Sequence, residues 1–133
     1  MIKLRLPYPP ATQNSLHKFW AHKGKVKVYL NPKIRRYYAE VMDIIEDLDE
    51  ETLELLPITT PISIEVCMTM PDKRKRDLDN VEKVLYDALQ KSGVIDDDSM
   101  IYYKTVYKKI SLSCEIETVK SGSIDIKITP ISI

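Results

Sequence analysis

Aspartates are concentrated at two places in this 133-residue chain, on either side of a segment with helical character. Asp77 and Asp79 stand two residues apart in KRKRDLDN, and three consecutive aspartates occupy positions 96 to 98. Crowded carboxylates repel one another unless a divalent cation neutralises them, and Mg²⁺ prefers hard oxygen ligands, often one or two carboxylates. Such an ion can polarise a phosphodiester and help to generate hydroxide. The aspartates are therefore candidate ligands for Mg²⁺, with Mn²⁺ as a substitute ion.

Cationic side chains adjoin these aspartates. The four residues directly before Asp77 are basic and could grip a phosphate backbone: Lys73, Arg74, Lys75 and Arg76. Lys83 follows Asp79 by four residues, on the same polar face of the predicted helix, where it could neutralise developing charge or position water. A second basic region, from residue 14 to residue 39, contains no acid. Within it Lys23, Lys25 and Lys27 alternate along a predicted hairpin, where they could face phosphates. Together with the aspartates, these residues indicate phosphodiester hydrolysis on nucleic acid.

Hydrophobic periodicity predicts the elements that must position these residues. Strands are expected over 2–6, 62–70, 101–112 and 124–128, and a basic hairpin over 19–30. A first helix should run from Asn31-Pro32 to about Asp49, followed by a loop to residue 61. A second helix should run from about Asp79 to Lys91 and stop at Gly93. The chain length suits one domain, 1–133, of the α+β class: a mixed β-sheet with two main helices packed on it.

Other classes of protein fit the sequence poorly. Cys67 and Cys114 lack the spacing of a zinc knuckle or of a disulfide scaffold, so a reducing compartment fits best. The beginning of the sequence has no long apolar run, which argues against a signal peptide and a membrane span. We expect a cytoplasmic protein acting on nucleoid DNA, with no small-molecule cofactor and no membrane partner.

Simpler structural explanations remain open at this point. Asp77 or Asp79 could cap the second helix, and Lys83 with Asp87 could form a surface ion pair of little energetic weight. The triple aspartate could be a solvated loop, and both basic regions could be solvated faces.

The segment R-D-L-D-N-V-E-K-V-L-Y-D-A-L-Q-K-S-G-V-I-D-D-D, residues 76–98, resembles the signature of the RusA family of Holliday-junction resolvases. Y-P-P-A-T-Q-N, residues 8–14, also resembles the P-P-S-x-N opening of that family, with Ala11 in place of serine and an extra residue before Asn14. The resemblance implies a RusA-like fold and a small, homodimeric, Mg²⁺-dependent endodeoxyribonuclease of bacteria and prophages. It also makes Asn14 a candidate DNA-binding residue.

Position by position, the resemblance implies that Asp77 and Asp79 are essential metal ligands and that Lys83 assists at the scissile phosphate. The third essential aspartate falls on Asp98, with Asp97 as the alternative register. The implied substrate is the four-way DNA junction of recombination and repair. Its approximate two-fold symmetry needs two matched cuts, which suits a C2 homodimer. The alternatives are a nuclease for other branched DNA, a catalytically idle junction-binding protein, and a structural domain whose acids cap a helix.

Overall fold

A computed structural model describes residues 1–10, 17–109 and 122–132 of the chain. The described part contains six strands, three α-helices and one short 3-10 helix. In chain order these are β1 (Ile2–Pro7), β2 (His17–His22), β3 (Lys25–Leu30), α1 (Pro32–Glu46), α2 (Glu50–Glu54), β4 (Ile62–Thr69), α3 (Asp79–Lys91), the 3-10 helix (Asp98–Met100), β5 (Ile101–Lys108) and β6 (Ser123–Pro130).

Four strands form a mixed sheet in the order β1-β6-β4-β5. The β1/β6 and β6/β4 pairs are antiparallel, whereas β4 and β5 are parallel. Parallel neighbours need a crossover connection, and α3 supplies it between β4 and β5. Strands β2 and β3 form a separate antiparallel hairpin that pairs with neither edge of the sheet. The predicted α+β fold with a mixed sheet is confirmed.

The helices cover one face of the sheet. Alternate residues of β1, β4 and β6 are buried on that face, as the period of two predicts. Helix α1 begins at Asn31, whose side chain accepts a hydrogen bond from the Lys33 N–H, and it buries one stripe of side chains. Helix α3 does the same with Val81, Val84 and Leu85, so both helices join the sheet in one apolar core.

The β4-α3-β5 crossover fixes where the candidate residues lie. Helix α3 begins at Asp79, beside the end of β4, and returns the chain to the start of β5. Gly93, with a φ of +79°, follows the last turn of α3 in a conformation that favours glycine. The first turn of α3 and the acidic run at 96–98 therefore lie at opposite ends of the crossover.

The structure differs from the expectation around residue 50. Helix α1 ends at Glu46, and a short helix α2 occupies part of the predicted loop. The cause is Asp49, whose side chain accepts a hydrogen bond from the Thr52 N–H and so starts a new helix. Strand β5 ends at Lys108, whereas the sequence predicted a strand to residue 112. Residues 110–112 of that prediction lie outside the described residues. No described helix is long and apolar enough to cross a membrane.

Candidate active site

The beginning of α3 and the helix-facing side of β5 enclose a cleft of about 670 Å³. Its lining combines three carboxylates with three cationic side chains: Arg76, Asp77, Leu78, Asp79, Glu82, Lys104, Val106 and Lys108. Lys104, Val106 and Lys108 alternate along β5 and pair with Ile64, Val66 and Met68, so they point toward the helices. This register explains how two lysines of an edge strand come to face the aspartates of a helix.

Asp77 and Asp79 are exposed in this cleft and have no structural task there. Leu78 occupies the capping position of α3, and no side chain makes a capping hydrogen bond. Within the described parts of the chain, neither carboxylate makes a hydrogen bond or an ion pair. The explanation that these aspartates cap the helix is therefore wrong. Two neighbouring carboxylates without partners beside basic residues suit a metal ion and a phosphate.

Arg76 is held at the cleft by two residues outside it. Its Nη2 donates to Asp72 Oδ2 at 2.7 Å, and its guanidinium lies 5.5 Å from the centre of the Tyr8 ring. Hydrogen bonds from the Arg74 backbone N–H and then from Arg76 lower the pKa of Asp72 below its usual value. Arg76 is thus oriented before any ligand arrives.

Glu82 and Lys104 form an ion pair between two residues that line the cleft. This pair was not predicted from the sequence. Lys104 Nζ donates to Glu82 Oε1 at 3.1 Å, and the Tyr86 hydroxyl donates to the same oxygen at 2.9 Å. Burial, and then the bond to Glu82, raise the pKa of Tyr86. Glu82 lies three residues after Asp79, so helical spacing alone could have identified it. Nothing local in the sequence pairs it with Lys104.

Lys83 is paired with a residue outside this group. Its Nζ lies 3.1 Å from Asp87 Oδ1, in an ion pair one turn apart on the same helix. Lys83 is not among the residues that line the cleft. Its catalytic role stays a prediction, and it requires Lys83 to exchange Asp87 for a phosphate.

Asp98 lies far from Asp77 and Asp79 within one chain. Its backbone N–H donates to Gln90 Oε1 at 3.2 Å, beside the last turn of α3. Asp79 and Gln90 are separated by about 16 Å along the helix axis, at 1.5 Å per residue. Among the described residues, no three His, Cys, Asp or Glu side chains form a metal-binding group. In the part of the sequence that the structure describes, Asp98 therefore does not come together with Asp77 and Asp79 within one chain.

The side chain of Asp97 has a local structural role. Asp97 Oδ1 accepts a hydrogen bond from the Ser99 N–H at 2.8 Å and caps the 3-10 helix. This bond lowers the pKa of Asp97. Hydrogen bonding to the 3-10 helix therefore already engages the carboxylate of Asp97.

The remaining candidate DNA-binding residues lie on two exposed segments. The basic loop before Asp77 exposes Lys73, Arg74 and Lys75, and Lys75 lines a smaller cavity of about 280 Å³ that also contains Arg76, Asp77 and Asn80. Lys25 and Lys27 lie on strand β3, whereas Lys23 lies in the hairpin turn with a φ of +50°. Asn14 lies outside the described residues.

The family model described as Endodeoxyribonuclease RusA matches residues 7–119, which include every residue of this cleft. The chain belongs to the RusA endodeoxyribonuclease family. The match also includes the whole D-L-D-N segment and the acidic run that follows α3.

Curated members of the RusA family resemble the chain over nearly its full length. A crossover junction endodeoxyribonuclease of Enterobacteria phage HK97 is 32% identical over 124 residues, covering 93% of this chain and 90% of the phage protein. The RusA proteins of Shigella sonnei and of Escherichia coli K12 are each 27% identical over 127 residues, covering 95% of this chain and 92% of those proteins.

Proposed function

We propose that the protein is a Mg²⁺-dependent, homodimeric endodeoxyribonuclease that resolves four-way DNA junctions by paired phosphodiester hydrolysis. Its relatives are named crossover junction endodeoxyribonucleases. The observation that carries the proposal is the pair Asp77 and Asp79, exposed beside Arg76, Lys104 and Lys108 without any partner among the described residues. Carboxylates kept free beside cations suit a divalent ion that shares a phosphate with those cations.

The cleft fits Mg²⁺ on chemical grounds. Asp77 and Asp79 offer hard oxygen ligands, and Mg²⁺ commonly takes only one or two protein carboxylates while water and substrate phosphate complete its shell. When bound, the ion would act as a Lewis acid at the phosphodiester. No thiolate or imidazole is found among the described residues that line the cleft, so the donor set suits a hard cation better than a zinc ion.

The cationic residues of the cleft would bind and orient the phosphate. Arg76, oriented by Asp72, would present its remaining guanidinium N–H groups to a phosphate oxygen. Lys104 and Lys108 alternate along β5 and would follow the strand being cut. The beginning of α3 adds a favourable site for negative charge, because the N–H groups of its first turn point that way. Lys83 would leave Asp87 to stabilise charge at the scissile phosphate.

Asp98 would complete the site from a second copy of the chain. Within one chain it lies at the far end of α3, whereas a two-fold dimer can place the end of one crossover against the beginning of the other. Asp98 is a better candidate than Asp97, because the Ser99 N–H already donates a hydrogen bond to Oδ1 of Asp97. The dimer would present two equivalent sites to the two strands that must be cut.

The decisive experiment compares a synthetic four-way junction with a matched linear duplex. Wild-type protein, Asp79→Asn and Asp43→Asn are incubated with each DNA in Mg²⁺, and binding is measured separately by electrophoretic mobility shift. Asp43 is an exposed carboxylate on α1 outside the cleft and serves as the matched control. We expect paired cuts near the branch point with wild type and Asp43→Asn, and no cuts with Asp79→Asn although it still binds.

Other outcomes point to the alternatives. Binding of the junction without cleavage by wild type in Mg²⁺ or Mn²⁺ favours an idle junction-binding protein. Equal cleavage of flaps or three-way branches favours a broader branched-DNA nuclease. Absence of binding to any branched DNA contradicts the proposal as a whole.

A further inference from the structure

The β2-β3 hairpin has two chemically different faces, both exposed. Residues that pair across the strands share a face, so Phe19 with Val28 and Ala21 with Val26 form an apolar one. The pairs Lys18 with Tyr29, Trp20 with Lys27 and His22 with Lys25 form the other, which we call the aromatic-basic face. The lysines of this hairpin are apparent from the sequence, whereas their position beside the aromatic side chains depends on the pairing register of the two strands.

The aromatic side chains of this face are accessible, and two of them stack on each other. The Trp20 and His22 rings stack with their centres 5.2 Å apart and an interplanar angle of 28°. Trp20 is 51% exposed and Tyr29 38% exposed, although indole rings usually lie mostly inside proteins. Trp20, Lys27 and Tyr29 line an open cavity of about 390 Å³. A flat aromatic surface beside a lysine is thus presented outward.

The charge of this face specifies the kind of partner. Lys18, Lys25 and Lys27 make no ion pair with another described residue, and the sequence from residue 14 to residue 39 contains no acid. Lysines beside exposed rings are what proteins use to bind single-stranded nucleic acid, because bases stack on the rings while phosphates meet the cations. Within duplex DNA, neighbouring base pairs cover the base faces, so stacking requires bases that are unpaired or at a break in the helix.

We propose that the aromatic-basic face of the hairpin binds DNA bases that are not stacked on both sides, with Trp20 as the stacking platform and Lys25 and Lys27 as phosphate-binding residues. This inference rests on the proposed function and deepens it, because bases at the branch point of a junction lack the continuous stacking of a duplex. The hairpin would thereby distinguish a branched substrate from a linear one, at a place separate from the hydrolytic cleft.

The test uses the chain's single tryptophan as its own reporter. The full-length protein is titrated in EDTA with a short thymidine oligonucleotide, a four-way junction and a matched duplex, and indole emission is recorded. We expect the oligonucleotide and the junction to quench Trp20 emission at saturation, and the duplex to leave it largely unchanged. Since no cleavage is involved, the result is independent of the hydrolysis assay above.

Substitutions then locate the binding surface. Trp20→Ala should weaken binding of the oligonucleotide by roughly 10-fold or more, and Trp20→Phe should retain part of the affinity, because stacking on an aromatic ring drives the interaction. Both variants lack the chain's single tryptophan, so the fluorescence anisotropy of a dye-labelled oligonucleotide measures their affinity. Phe19→Leu, on the opposite face of the same strand, is the control and should change affinity by less than about twofold. Lys25 and Lys27 are then replaced together by Gln. The slope of log affinity against log salt concentration should become shallower by about 0.7 for each phosphate that the hairpin no longer neutralises.

Three results would overturn the inference. Unchanged emission at saturation with the oligonucleotide and the junction would show that bases do not reach Trp20. Equal quenching by the duplex would show that the face does not select unstacked bases. Emission that shifts with protein concentration, and not with DNA, would place the hairpin in an interface between copies of the chain.

Discussion

Lys104 Nζ lies 3.1 Å from Glu82 Oε1, and this ion pair joins the two walls of the cleft, strand β5 and helix α3. The Glu82 side chain is only 14% exposed, whereas Lys104 is 53% exposed. A similar pair, Lys127 and Glu65 at 4.0 Å, lies on the sheet face opposite the helices, and its lysine is 52% exposed. Lys104 and Lys127 therefore have the same charge, a similar exposure and a glutamate partner each, but they lie on opposite faces of the sheet.

Lys104→Gln should weaken DNA binding, because on the proposed function the substitution removes a cation that would neutralise a phosphate. The plot of log affinity against log salt concentration should become shallower by about 0.9 for each phosphate that is no longer neutralised, since fewer counterions are released. Lys127→Gln is the matched control, since it removes the same charge from the opposite face. Fluorescence anisotropy with a four-way junction over a salt series measures both, and equal changes in the two variants would contradict the assignment of the cleft.

Asp72→Asn should lower activity by releasing Arg76. The neutral amide cannot make the charge-assisted bond of 2.7 Å that orients the guanidinium. Misplacement of a positioning group costs roughly 10-fold to 100-fold in kcat/KM. Cleavage kinetics with wild type, Asp72→Asn and Asp72→Glu measure the effect, and we expect partial recovery with glutamate. Unchanged kinetics in Asp72→Asn would show that Arg76 needs no fixed orientation.

Local patterns in the sequence predicted most of the fold, because local physics determines those elements. The alternation of Ile62, Ile64 and Val66 predicted β4, and the three- and four-residue spacing from Val81 to Leu89 predicted α3. The cap at Asn31 predicted where α1 begins. The same patterns missed α2, because a five-residue helix held by a single capping side chain has little periodicity to detect.

The cleft itself was predicted only in part. Asp77, Asp79 and Arg76 are neighbours in the chain, so the sequence displays them together. Lys104 comes to Glu82 only through the parallel register of β5 on β4, which no pattern within either segment specifies. The separation of Asp98 from Asp79 has a different cause, because the hydrogen bond of the Asp98 N–H to Gln90 keeps Asp98 at the far end of α3.

Gly122→Ala should destabilise the protein more than Gly93→Ala. Both glycines have similar φ values, +77° and +79°, so both substitutions carry a similar cost of about 1 kcal/mol for left-handed backbone. A Cβ at residue 122 would additionally lie 2.8 Å from the Thr69 carbonyl oxygen and 2.9 Å from the Pro71 nitrogen, whereas a Cβ at residue 93 meets nothing within 4 Å. Because these backbone atoms must move, we expect Gly122→Ala to lose a further ~1–3 kcal/mol, the cost of overpacking, in its free energy of unfolding. Urea unfolding of both variants measures the difference, and equal losses would contradict it.

Stability should decline at alkaline pH as buried tyrosines ionise. Burial, with a smaller contribution from the Asp87 carboxylate, raises the pKa of Tyr38 to about 12. The unfolded chain therefore releases this proton more readily than the folded chain. The contribution of Tyr38 to the free energy of unfolding is complete below about pH 10 and is lost as the pH rises through about 12. Tyr38→Phe should reduce this decline. Urea midpoints at about pH 8 and about pH 11 measure it, and identical declines in wild type and variant would contradict the assignment.

The position of Asp98 makes a further prediction about the dimer. If each site takes Asp79 from one protomer and Asp98 from the other, two inactive variants can restore one another. A dimer of one Asp79→Asn chain and one Asp98→Asn chain would contain one site with both substitutions and one site with neither. If both aspartates of a site came from the same protomer, each site of the mixed dimer would carry one defect.

Asp79→Asn and Asp98→Asn should therefore each be inactive alone, and should nick junctions after they are unfolded together and refolded. Random pairing makes half of the dimers mixed, with one intact site each, so about a quarter of wild-type sites should recover. Most junctions should be cut in one strand only, because the second site of each mixed dimer carries both substitutions and is inactive. Mixing Asp79→Asn with Asp77→Asn is the control: both substitutions lie at one end of α3, so every site keeps a defect. A test mixture as inactive as this control would show that Asp98 acts within its own chain or not at all.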